Sequence, residues 1–84
     1  MPVLSRFYGI IMRMYFQQAE HNPPHVHAIY GEEMAAVDIR TGEVMEGNLP
    51  PKALALVREW IGLNRDDLLK MWDTQEFKQL SPLE

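Results

Sequence analysis

His25-Val26-His27-Ala28-Ile29-Tyr30-Gly31-Glu32-Glu33-Met34-Ala35-Ala36-Val37-Asp38-Ile39-Arg40 reads as two strands hinged on a tight turn. Side chains of a strand alternate between its two faces, so every second residue shares a surface. Val26, Ala28 and Tyr30 form one set; His25, His27 and Ile29 form the other. On the return strand Ala35, Val37 and Ile39 are the apolar set, which turns Asp38 and Arg40 outward. Gly31-Glu32 supplies the hairpin turn between them.

The same alternation extends to both sides of this hairpin. Val3 to Phe7 is a short apolar and aromatic segment ending at Tyr8-Gly9, a natural turn. Beyond it Ile10, Met12, Met14 and Phe16 share one strand face, with Ile11, Arg13 and Tyr15 on the other. Thr41-Gly42 turns the chain again, and Glu43 to Glu46 forms a short last strand. The connections are short except one, Gln17 to Pro24, which ends in two stiffening prolines.

From Leu49 the period changes. Pro50-Pro51 suits a helix start. Ala53, Leu54, Val57, Trp60 and Ile61 then follow the spacing of an amphipathic helix, with Leu56 widening the stripe. Gly62-Leu63 reads as its close, and Asn64 as the N-cap of a second helix that carries Asp66 and Asp67 in its first turn. Leu68, Leu69 and Trp72 give that helix its buried side, and it runs to near Phe77. The expected fold is therefore α+β: a four- to five-stranded antiparallel meander sheet with a C-terminal two-helix hairpin packed on one face. One small domain spans 1–84, with strands over 3–46, helices over 51–79 and a tail at 80–84. The two tryptophans are expected at the helix–sheet junction. Met12, Met14, Met34 and Met45 read as core filler, Arg65 to Asp67 as a solvated helix start, and Leu83-Glu84 as an expression-vector remnant.

Composition narrows the function classes. Eighty-four residues support one small core, and the absence of cysteine excludes disulfides and thiolate zinc sites. A net charge of −4 weighs against unaided nucleic-acid binding, because the eight basic residues are scattered along the chain. The apolar run near the start is interrupted by Arg6 and Arg13, far short of a membrane span. The reading is a soluble cytoplasmic protein.

All three histidines fall in His21-Asn22-Pro23-Pro24-His25-Val26-His27. His25 and His27, two apart on a strand, share the outward face, where Asp38, Arg40, Arg13 and Tyr15 are their expected neighbours. Three readings of this cluster stand side by side. In one, His21, His25 and His27 with Asp38 hold a divalent metal such as zinc, for which imidazole nitrogens and a carboxylate are suitable ligands. In another, His25 and His27 act as general acid and base while Arg13 or Arg40 steadies an anionic transition state and Tyr15 completes the patch, as cyclising ribonuclease chemistry requires. In the third, imidazoles and prolines simply brace a long loop.

Pro2-Val3-Leu4-Ser5-Arg6-Phe7-Tyr8-Gly9-Ile10, Arg13-Met14-Tyr15-Phe16, the histidine–proline stretch, Ile39-Arg40-Thr41-Gly42-Glu43-Val44 and Leu56-Val57-Arg58-Glu59-Trp60 together resemble a small, mostly bacterial family, domain of unknown function 4160. The likeness covers nearly the whole chain, and the histidine–proline stretch is its most specific motif. The resemblance implies one component of a toxin–antitoxin-like pair, with a small protein encoded nearby as partner. It brings no reaction and no catalytic residue. From these readings the expected role is an interaction component, a homo-oligomer being compatible with it; the alternative is a histidine-dependent nuclease, with or without metal.

Overall fold

Five short strands and one long helix make up the computed structural model, which describes residues 3–15 and 23–84. Strand β1 (Val3–Phe7) turns into β2 (Ile10–Arg13) through Tyr8-Gly9. Both turn residues have positive φ, 49° and 80°, and Phe7 pairs directly with Ile10. A two-residue loop of this hand matches the right-handed twist of the flanking strands, and glycine meets the second position at no steric cost. Strands β3 (His25–Tyr30) and β4 (Glu33–Asp38) form the hairpin that the alternation predicts, and β5 (Val44–Gly47) closes the sheet. The order is β1-β2-β3-β4-β5, with every neighbour antiparallel. That is a simple meander.

One face of the sheet makes the core. Leu4, Phe7, Ile10 and Met12 from β1 and β2 join Val26 and Ala28 of β3 and Ala35 and Val37 of β4, all buried. Met14 and Ile39, just past the ends of β2 and β4, are buried with them. Against them lies helix α1 (Pro51–Thr74), which contributes Ala53, Val57, Trp60, Ile61, Leu68, Met71 and Trp72. Trp60 packs on Phe7 with ring centroids 5.7 Å apart. Both tryptophans thus sit at the helix–sheet junction.

The expected two-helix hairpin is corrected to a single helix of 24 residues. Its apolar stripe runs in phase through the supposed break: Ile61 and Leu68 lie seven residues, or two turns, apart on the same side. Gly62 lies within the helix. Asn64 does not cap a new helix; its Nδ2–H donates to the carbonyl of Trp60 at 2.9 Å. Pro50 is the N-cap with Pro51 following, and the helix ends at a left-handed Gln75, φ 60°, whose N–H bonds the Met71 carbonyl.

Three other expectations change. Met34 and Met45 are about two-fifths exposed rather than core filler, because they fall outside the face that α1 covers. Arg65 belongs to the helix interior and donates its Nε–H to the Ile39 carbonyl at 2.9 Å, while Arg58 does the same to Gly42 at 2.8 Å. These two guanidiniums clip the loop after β4 to the helix. The C-terminal residues also take part in the fold: Leu80 N–H donates to the Leu4 carbonyl, Trp60 Nε1–H to Ser81, and Leu83 is buried. Phe16 and His21 lie outside the described residues.

Candidate functional site

The second face of the sheet is covered by no helix or strand among the described residues. Cross-strand register defines what it presents. Arg13 of β2 pairs with His27 of β3, His27 with Ala36 of β4, and Ala36 with Glu46 of β5. One row of side chains thus crosses four strands. A parallel row runs from Arg6 through Ile11 and Ile29 to Met34. His25 sits beside the first row and pairs with Asp38.

Aromatic contacts tie this corner together. Tyr15 meets the edge of His27 with centroids 4.3 Å apart, and His27 meets His25 at 5.2 Å. His25 in turn lies 5.0 Å from Trp72, in the last turns of α1. The four rings form a chain from just past the end of β2 to the end of the helix. His25 Nδ1 lies 2.9 Å from the Pro23 carbonyl oxygen. A carbonyl only accepts, so Nδ1 carries the proton and the neutral ring keeps its lone pair on Nε2. The stiff Pro23-Pro24 segment therefore fixes the tautomer of the first histidine on the strand.

His27 differs. Burial holds its pKa below the ordinary imidazole value, and the neighbouring His25 lowers it further; Glu46, two strands away on the same row, acts in the opposite direction. At neutral pH His27 is an uncharged ring. Its Nδ1 is buried without a hydrogen-bond partner, and so is the Nε of Arg13 beside it. Leaving a buried polar atom unpaired costs about 1–3 kcal/mol, so two adjacent ones mark a spot where the fold is not optimised for its own stability.

Of the sequence-derived candidates, Arg13, Tyr15, His25 and His27 converge on this face. Arg40 does not lie on the strand: β4 ends at Asp38, and Arg40 is exposed in the turn that follows. Asp38 pairs with His25 in register, but its Oδ1 accepts the backbone N–H groups of Arg40 at 2.7 Å and Thr41 at 3.1 Å. Its carboxylate serves the turn. His21, one of the four metal-ligand candidates with His25, His27 and Asp38, lies outside the described residues; among the described residues no group of three or more His, Cys, Asp or Glu side chains is placed to hold a metal. Sequence reasoning missed Trp72 and Glu46. Trp72 reaches His25 only through the path of the helix, which no local pattern encodes. Glu46 lay at a strand position whose register could not be assigned without the sheet.

Residues 9–73 match the family described as Domain of unknown function (DUF4160). The chain belongs to that family. The matched span runs from the β1–β2 turn to near the end of α1, so it includes the ring chain, Arg13 and the whole histidine–proline stretch. No curated protein and no solved structure matches the chain. Among the described residues no helix is long and apolar enough to cross a membrane.

Proposed function

We propose that this protein is the interaction component of a bacterial, cytoplasmic toxin–antitoxin-like pair, and that the uncovered sheet face receives its protein partner. One observation carries the reading: Arg13, Tyr15, His25 and His27 converge on a sheet face that no described helix or strand covers. The face has the composition of a recognition surface, with Arg, Tyr, His, Met and Ile, no lysine, and its two carboxylates, Asp38 and Glu46, confined to β4 and β5. A docking protein buries Ile11 and Ile29, which are only half-buried in the single chain.

The test is co-purification with the small protein encoded beside this chain's gene. The double substitution His25→Ala/His27→Ala is expected to weaken that association at least tenfold while circular dichroism stays unchanged. Undiminished binding by the folded double variant overturns the reading; loss of folding assigns the histidines to bracing the loop.

A second reading, a histidine-dependent nuclease, is favoured by the division of labour between the two rings. His25 presents the lone pair of its Nε2, His27 is held neutral, and Arg13 supplies a cation beside them. Incubation of a single-stranded RNA with wild type and with His27→Ala tests it. Cleavage at equal rates by both proteins counts against this chemistry.

A further inference from the structure

The uncovered face divides into two charged halves. Strands β1 and β2 bring the cations Arg6 and Arg13 to it, whereas β4 and β5 bring the carboxylates Asp38 and Glu46. Within one chain the opposite ends of the row cannot meet. Arg13 and Glu46 are three interstrand spacings apart, roughly 14 Å, beyond the reach of an ion pair. Among the described residues the one ion pair is Lys78 with Asp67, which involves neither Arg13 nor Glu46.

We propose that this face also binds a second copy of the chain, sheet against sheet, about a two-fold axis parallel to the strands and lying between β3 and β4. That axis is fixed by the pattern. It lays β2 over β5 of the other copy and β3 over the other β4, so each row meets itself reversed. Arg13 then faces Glu46 of the second copy, and Glu46 faces its Arg13. His25 lies over the acidic Asp38 end. The His27 ring lies over the position of Ala36, whose side chain is already closed off within the single chain and adds nothing to the contact. In the parallel row Ile29 lies over Met34, an exposed apolar side chain. Cation over anion and apolar over apolar both follow from a single operation, as an isologous contact requires. Moving the axis by half a strand spacing, onto β3, loses the match, since Arg13 then falls over Ala36.

Four overlapping strands of four to six residues give a footprint of about 300 Å² per copy, a small contact of the transient class. Self-association is therefore expected at high protein concentration and low ionic strength, and a tighter heterologous partner displaces it. The inference concerns the isolated chain, so its failure leaves the partner reading above untouched, and the reverse also holds.

Sedimentation velocity over concentrations up to about 1 mM, at low salt, decides it. Wild type is expected to shift from monomer to dimer. Arg13→Glu and Glu46→Arg, each acting twice across the axis, are expected to weaken the dimer by about tenfold, and the double substitution to restore it. A chain that stays monomeric throughout overturns the proposal. So does a dimer indifferent to the single substitutions, or one that the double swap fails to restore. If Arg13→Glu unfolds the protein, Met34→Glu combined with Glu46→Arg alters only exposed positions and must still abolish the dimer.

Discussion

Asn64 donates its Nδ2–H to the carbonyl of Trp60, one turn earlier in the same helix, at 2.9 Å. This bond explains why a segment that looks like a break is continuous. Asparagine away from a helix end normally competes with the backbone for hydrogen bonds and favours a new start. Here its amide is satisfied along the helix axis, and the helix passes through.

Gly62, two residues earlier, tests the same point. It lies inside the helix, and a Cβ placed there meets nothing within 4 Å. Gly62→Ala is therefore expected to stabilise the protein by about 0.5–1 kcal/mol, because alanine gives up less backbone entropy in a helix. Urea denaturation measures it. A neutral or destabilising result would place a non-helical turn at this position.

Gly47 gives the opposite outcome. It has φ +75°, and a Cβ there would collide with the backbone carbonyl oxygen of Met34. The obstacle is main chain, held in place by the Asn48 N–H bond to that same oxygen, so it cannot swing aside. Gly47→Ala is expected to cost about 2 kcal/mol or more and to loosen β5 first. Amide exchange, fastest along Val44–Gly47 in the variant, reports where the damage falls.

How much of this could be read from the chain differs from element to element. The β3–β4 hairpin was legible because strict alternation and one Gly-containing turn leave only one register that buries Val26, Ala28, Ala35 and Val37 together. The helix hairpin was misread because Gly62-Leu63-Asn64 carries the local signals of a stop and a start, while the evidence against it is the phase of the stripe from Ile61 to Leu68. Phase over two turns outweighs local punctuation here because burial supplies more free energy than a cap. Within the candidate site the common face of His25 and His27 followed from their spacing. Asp38 is a chemically suitable ligand, yet an aspartate three residues before a Thr-Gly pair commonly bonds the turn's own amides, as it does here. The contact of His25 with Trp72 joins residues far apart in sequence, and nothing local announces it.

The depressed pKa of His27 makes stability depend on pH in a defined window. Above the ordinary imidazole value of 6.5 the ring is neutral in both the folded and the unfolded chain, and pH has no effect through it. As pH falls below that value the unfolded chain binds the proton first, so the folded state loses stability; once pH passes the lower folded-state value the loss is complete and constant. Wild type is thus expected to lose stability on acidification through this window more steeply than His27→Gln. Thermal melts of both proteins across the window measure the difference in slope. Parallel slopes would show that the ring titrates as if it were exposed.

Trp60 connects the core to the C-terminal segment by two separate means. Its ring is fully buried against Phe7, and its Nε1–H donates to the Ser81 carbonyl at 2.9 Å. Trp60→Ala removes both and is expected to cost about 3–5 kcal/mol. A chain of 84 residues has a total stability of only about 4–13 kcal/mol, so that variant stands near the limit of folding. Trp60→Phe separates the two contributions. It keeps most of the packing and loses the donor, leaving the Leu80 N–H bond to Leu4 as the polar tie between the last residues and β1. The expected loss is smaller, about 1–2 kcal/mol, but it is concentrated at the C-terminal segment. Limited proteolysis is the discriminating measurement: Trp60→Phe should be clipped after residue 75 faster than wild type, while the sheet and α1 resist as before. Equal clipping rates would show that Leu83 burial and the Leu80 bond hold the segment without the indole.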